Sequence, residues 1–300
     1  MARALIITNP AAARTTPRAL RTVRSVLRRE GWRVDIETTT HDGHAAELAA
    51  QGACAGVDVV AVYGGDGTAM QAVRGLQGHE LPLALIPGGT GNLLAGNLRL
   101  PRDPTRAALV IARGAPRALD LGRLEREDGA RYFAVACGAG FDAELMASTT
   151  TAAKRRWKMG AYIARAWETI GAVHNVPYRV TVDGRVLEGE AATVMVANCS
   201  EFVPPFLRFG PAVSLDDGLF DVVILQGEGF LQSAAVLVQW VSGAGEGSDN
   251  VRRARGRVVT VEMEPVRVVQ TDGEAAGVTP FTAELLPGRL HVMAPRRRRR

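Results

Sequence analysis

The sequence predicts an α/β domain followed by a mainly β domain: an N-terminal open α/β domain and a C-terminal antiparallel β-sandwich-like domain with inserted helices. Three observations lead there. The 300 residues exceed what one hydrophobic core usually holds. Up to about Gly122, near-continuous apolar runs alternate with helical patterns, as parallel strands covered on both faces do. From about Arg123, β-rich segments succeed one another with turn signals between them.

In chain order, "ALIIT" (4–8) reads as a strand, 16–30 as a helix, "RVDIETT" (33–39) as a strand and 43–51 as a helix. "VDVVAVY" (57–63) is a buried strand that ends in "GGDGT" and a short helix; "LPLALI" (81–86) is another, ending in "PGGTGN" and a helix. The second domain contains "RYFAVACGAGF", "YRVTVDGRVLEGEAATVMVAN", "LFDVVIL", "GRVVTVEM", "VRVVQTDGE" and "RLHVMAP", with hairpin signals at its D-G and P-G dipeptides. Helical inserts are expected near 151–173 and 230–241. The resulting division is 1–122 for the α/β domain, completed by 285–295, then 123–284 for the β-rich domain and 296–300 as a polybasic tail.

Composition suits a soluble globular chain, with 47% apolar and 22% charged residues. The start has only four consecutive strongly apolar residues, too few for a secretory signal, and no run reaches transmembrane length. Cys54, Cys137 and Cys199 are odd in number and lack metal-ligand spacing, which argues for a reducing compartment, so a cytoplasmic protein is expected. The formal charge is +5, and the terminal arginines Arg296 to Arg300 account for all of it. A neutral body argues against nucleic acid as partner. The tail is either a contact with anionic lipid at the inner membrane face or a solvated end.

Both glycine clusters follow strands, where open α/β sheets bind ligands. Gly64, Gly65 and Gly67 let the backbone approach a diphosphate, with Thr68 offering a hydroxyl at the helix start. Gly88, Gly89 and Gly91, with Thr90 and Asn92, repeat the device one strand later. Asp66 would repel a phosphate unless a divalent cation or water stands between them, which points to a metal-nucleotide complex. Neither cluster is a Walker A or a GxGxxG fingerprint. The plainer alternative is a pair of strand-to-helix turns.

The ordered motifs resemble the diacylglycerol kinase catalytic domain superfamily, particularly its bacterial soluble lipid kinases. "NPAAA" (9–13), "TTHDGHA" (39–45), "GGDGT", "PGGTGN", "ALDLG" (118–122), "CGAGFDAEL" (137–145), "SLDDGLFDV" (214–222) and "QTDGE" (270–274) carry the resemblance over almost the whole chain. The fold it implies is of the NAD kinase/diacylglycerol kinase type. It implies that Asn9, Thr39, the segment Gly65, Asp66, Gly67, Thr68, Ala69, Met70 and Gln71, and Gly89, Thr90 and Asn92 serve ATP. Asp66 and Asp120 would hold water-linked Mg²⁺, Glu274 would be the general base, and Ser214, Asp217 and Leu219 would bind a second, structural Mg²⁺, Ser214 and Leu219 through their backbone. Two departures stand out. Leu93 follows Asn92 where many relatives carry Asp, and "GGDGTAMQ" replaces the commoner "GGDGTLNE".

Phosphoryl transfer needs positioning, charge neutralisation and an acceptor for the hydroxyl proton. "TDGE" offers two carboxylates; Asp272 competes with Glu274 as base or else sets the turn. On the acceptor side, "KRRWKMGAYIARAWETIGAV" (154–173) is a helix suited to a membrane interface or to packing on the second domain. "SEFVPPFLRFG" (200–210) lines an acyl-chain pocket or fills the core. The five histidines show no ligand spacing. The leading expectation is an Mg²⁺-dependent lipid kinase acting at a membrane surface on diacylglycerol or a related lipid. The alternatives are an NAD kinase-like enzyme and a non-catalytic nucleotide-binding protein tethered to membrane. No motif encodes oligomeric state, and a homodimer stays open.

Overall fold

The computed structural model describes residues 1–125, 129–140, 174–203, 207–208, 213–229, 232, 235–236 and 250–296. The chain divides into two compact units: Met1–Leu119 with Gly288–Arg300, and Asp120–Pro287.

Unit 1 runs β1 (Arg3–Thr8), α1 (Pro17–Arg29), β2 (Arg33–Thr38), α2 (His44–Cys54), β3 (Val59–Gly64), α3 (Asp66–Gly75), β4 (Leu83–Pro87), α4 (Leu93–Asn97) and α5 (Pro104–Arg113). The strands lie parallel in the order β2-β1-β3-β4. Ala4, Ile6, Val59, Ala61 and Tyr63 form one buried layer with Val23 and Leu27 of α1 and Ala107, Ala108 and Ile111 of α5. Local chemistry starts these two helices. Thr16 caps α1 by accepting from Ala19 N–H, and Asp103 caps α5 by accepting from Arg106 N–H at 2.9 Å. A proline occupies the first turn of each, where its missing N–H costs nothing. Helices α2 and α3 touch closely, since a Cβ on Gly75 would lie 2.1 Å from Ala46 O.

The second unit is antiparallel. Its strands are the end of β5 (Ala115–Leu124), β6 (Arg131–Phe133), β7 (Ala136–Gly140), β8 (Val176–Val182), β9 (Arg185–Ala191), β10 (Thr193–Ala197), β11 (Glu201–Val203), β12 (Leu207–Arg208), β13 (Phe220–Leu225), β14 (Val251–Gly256), β15 (Val258–Met263), β16 (Val268–Thr271), β17 (Glu274–Val278) and the start of β18 (Phe281–Ala294). One sheet has the order β14-β13-β10-β7-β16-β17. Another runs from β18 through β15 and β8 to β9. Val180, Val182, Val259, Val261 and Phe281 from the latter meet Val194, Val196, Phe220, Val222 and Val269 from the former in one core, which makes the unit a β-sandwich.

The α/β and antiparallel β classes are as expected from the sequence, and two of its turn signals hold: Asp183-Gly184 turns β8 into β9, and Asp272-Gly273 turns β16 into β17. Pro287-Gly288 does not make a hairpin. Gly288 has φ +63, yet β18 continues through it, pairing Phe281 to Glu284 with β15 in unit 2 and Val292 with Leu83 in unit 1. The inserted helix at 151–173 and most of that at 230–241 lie outside the described residues, as do the side chains of Phe202, Phe206, Leu207 and Phe209.

Candidate functional site

In unit 1 the loops after β1, β3 and β4 form one hydrogen-bonded stack. Asn9 N–H donates to Tyr63 O at 3.2 Å, Gly88 N–H to Gly64 O at 2.8 Å and Arg14 N–H to Gly88 O at 2.8 Å. The Tyr63 hydroxyl closes the stack by donating to Arg14 O at 2.8 Å. Asn9 Nδ2 donates to Thr68 Oγ1 at 3.0 Å, which joins the first loop to the start of α3. The two glycine loops then meet without a side chain between them: a Cβ on Gly89 would lie 2.6 Å from Gly65 Cα. Asn92 adopts φ +53 and folds back, accepting from Gly89 N–H at 2.9 Å and donating to Gly89 O at 2.8 Å.

Asp66 opens α3, but its carboxylate turns toward the second loop. It accepts backbone N–H groups of Leu94, Leu93 and Asn92 at the start of α4. Burial pushes the carboxyl above its ordinary value, and these donors pull it down by less. A Cβ on Gly91 would come 3.0 Å from Asp66 Oδ2, so the glycine leaves room for this carboxylate.

The remaining nucleotide-side expectations fall around this stack. Thr39 lies just beyond β2, its N–H bonded to Thr8 O at 2.9 Å. Gln71 reaches the same region from α3: Oε1 accepts from Gly43 N–H at 3.1 Å and Nε2 donates to Asp42 Oδ1 at 2.7 Å. Thr90 is exposed. Ala69 is 4% exposed, its N–H goes to Gly65 O, and it lines a small cavity with Gly64, Gly65 and Asp66. Asp42 and Tyr63 lie in stretches read from the sequence, but the sequence alone assigns no role to either.

Unit 2 holds the other candidates. Asp272 has φ +48 and receives three amides, from Ala134 at 2.8 Å, Val135 at 2.9 Å and Ala136 at 3.0 Å. It anchors the segment between β6 and β7, which agrees with the turn-setting alternative weighed against its role as base. Glu274 is exposed at the first position of β17. Asp120 is 3% exposed; its Oδ2 accepts from Gly218 N–H at 2.7 Å and its own N–H donates to Leu215 O at 2.7 Å. Fully buried Asn198, which no motif marked, braces this strand by donating from Nδ2 to Asp120 O at 2.9 Å and Ala134 O at 3.0 Å.

The diacylglycerol kinase catalytic domain model matches residues 3–124, and that of the YegS C-terminal NAD kinase beta sandwich-like domain matches 135–294. A diacylglycerol kinase of Mycobacterium tuberculosis (strain CDC 1551 / Oshkosh) is 30% identical over 87% of this chain and 85% of its own length. The chain belongs to the diacylglycerol kinase family. A Bacillus subtilis (strain 168) diacylglycerol kinase is 27% identical over 99% of this chain and 97% of its own length. A solved diacylglycerol kinase-like structure from Bacillus anthracis str. Sterne, 27% identical, superimposes with a TM-score of 0.78 and 97% coverage of both chains.

In this lipid kinase the acidic side chains of the 214–219 segment already have protein partners. The Asp217 carboxylate is paired with the Arg255 guanidinium on one oxygen and accepts Leu219 N–H at 3.2 Å on the other. Ser214 Oγ donates to Asp216 Oδ1 at 2.6 Å. A carboxylate already neutralised by a guanidinium does not fit the second Mg²⁺ that Ser214, Asp217 and Leu219 were expected to hold. Among the described residues, no group of three or more His, Cys, Asp and Glu side chains is placed to hold a metal, and no helix is long and apolar enough to cross a membrane.

Proposed function

We propose that this kinase transfers the γ-phosphoryl group of ATP to a lipid hydroxyl, with diacylglycerol as the first acceptor to test. The observation that carries the reading is the backbone contact of Gly65 with Gly89 beside the half-buried Asp66, whose carboxylate turns toward the second loop. Two glycine-rich loops at the carboxyl ends of β3 and β4 suit a polyphosphate, which needs close backbone approach and N–H donors. A carboxylate beside that cradle suits ATP delivered as its magnesium complex, since the cation removes the repulsion between carboxylate and phosphate. Magnesium would supply charge neutralisation on the transferred group.

The chain's own residues position and move the proton. Asn9 and Thr68 hold the first loop against α3, and Asn92 fixes the second loop around Gly89. Thr39 and Thr90 stand at the same end of the sheet as further contacts for the nucleotide. Glu274 accepts the proton of the lipid hydroxyl as its oxygen forms the new bond to phosphorus and the bond to ADP breaks. Asp272 fixes the turn that carries Glu274 through its three amide contacts. Asp120 is a further carboxylate that the family resemblance offers for water-linked magnesium, and within its own unit its Oδ2 holds Gly218 N–H.

The test supplies γ-labelled ATP and Mg²⁺ with diacylglycerol in mixed micelles, and in parallel with NAD. Label in phosphatidate and none in NADP is the expected result. Label in NADP alone would replace the lipid reading with a soluble-dinucleotide one.

A further inference from the structure

Residues 213–221 carry Asp216, Asp217 and Asp221, and the nearest acidic pair converges on one arginine. Asp221 and Arg255 face each other in register across β13 and β14. Arg255 Nε donates to Asp221 Oδ2 at 3.2 Å, and its Nη2 donates to Asp217 Oδ2. The side chains of Asp221, Asp217 and Arg255 are 12%, 26% and 39% exposed, so the group is partly withdrawn from water.

The loop around that group is closed by protein donors. Leu219 N–H occupies the second Asp217 oxygen. Gly218 is held at both ends, its N–H by Asp120 Oδ2 at 2.7 Å and its C=O by Arg257 Nε at 3.2 Å. Mg²⁺ demands several oxygen ligands in near-octahedral array, whereas a guanidinium brings no acceptor and places its own positive charge on the carboxylate that would be the main ligand. The planar fork of Arg255 is matched to two carboxylates at once.

We propose that Arg255 replaces a structural divalent cation here: its guanidinium neutralises Asp217 and Asp221, and the loop that Gly218 ties to Asp120 keeps its conformation without magnesium. A cation requirement in this kinase then belongs to the nucleotide alone. The inference does not rest on the lipid kinase reading, because it can be tested with neither nucleotide nor lipid.

The experiment is thermal unfolding of the full chain in EDTA and in millimolar MgCl₂, together with calorimetric titration of MgCl₂ into the native protein and Asp217→Asn. Equal unfolding midpoints for the native protein in the two conditions, and titrations that Asp217→Asn leaves unchanged, are expected. Arg255→Gln strands two carboxylates without a counter-charge, so its midpoint should fall by roughly 4 °C or more in EDTA and recover with MgCl₂. A native midpoint that rises by roughly that amount with MgCl₂, with the rise abolished by Asp217→Asn, would overturn the proposal. If Arg255→Gln does not fold, the native protein and Asp217→Asn decide the question by themselves.

Discussion

Gly65 and Gly89 meet backbone to backbone: a Cβ on Gly89 would stand 2.6 Å from Gly65 Cα, closer than carbon atoms approach. Gly89→Ala must therefore separate the two loops. The variant should lose about 1–3 kcal/mol of stability and most of its ATP affinity, read by thermal unfolding and nucleotide titration. Gly78→Ala is a control: its Cβ meets open space but its φ of +89 carries backbone strain, so it should lose stability without losing ATP affinity.

Asp66 should separate stability from function. Burial raises its carboxyl above the ordinary value, so folding makes it easier to protonate than it is in the unfolded chain. Its stabilising contribution is complete in acid, below the ordinary value of 3.8, and is lost as pH rises through the folded value. Asp66→Asn is expected to be at least as stable as the native protein at neutral pH, to lose that advantage in acid, and to transfer no phosphate. Thermal midpoints across pH, paired with label transfer, check this.

Gln71 stands where the commoner motif has Glu, and its amide accepts from Gly43 while donating to Asp42. A carboxylate there would face the Asp42 carboxylate across the present 2.7 Å contact. Gln71→Glu should cost about 1 kcal/mol and weaken ATP binding, less so at high salt. Adding Asp42→Asn should restore both, because the new amide can donate where the glutamine did; a double-mutant cycle measures the coupling.

Asp272 and Glu274 lie two residues apart and should fail differently. Asp272→Ala strands three amides and should destabilise by about 2 kcal/mol or more. Glu274→Gln changes an exposed side chain and should stay within about 0.5 kcal/mol of native stability. Denaturant unfolding of both variants distinguishes anchor from proton acceptor.

Sequence alone revealed the parts of the fold that rest on local chemistry. The helical pattern from Thr16 announces α1, unbroken apolar runs announce β3 and β4, and glycines directly after those runs mark the two loops that meet at Gly65 and Gly89. Tertiary pairing hid the rest. Pro287-Gly288 has the composition of a turn, but its neighbours find partners in β15 and β4, and one strand passes through. The "DDG" of the 214–219 loop looks like a cation site until Arg255 arrives from β14, 38 residues beyond Asp217. Asp42 and Asn198 are equally invisible, because their roles depend on Gln71 and Asp120 brought to them by folding.

The most direct test of the central claim is label transfer from γ-labelled ATP to a total lipid extract, with the native protein and Glu274→Gln side by side. Label should enter the organic phase with the native protein and fall to background with the variant, while both bind ATP equally. No label with the native protein, or undiminished label with Glu274→Gln, would contradict a lipid kinase that uses Glu274 to accept the hydroxyl proton.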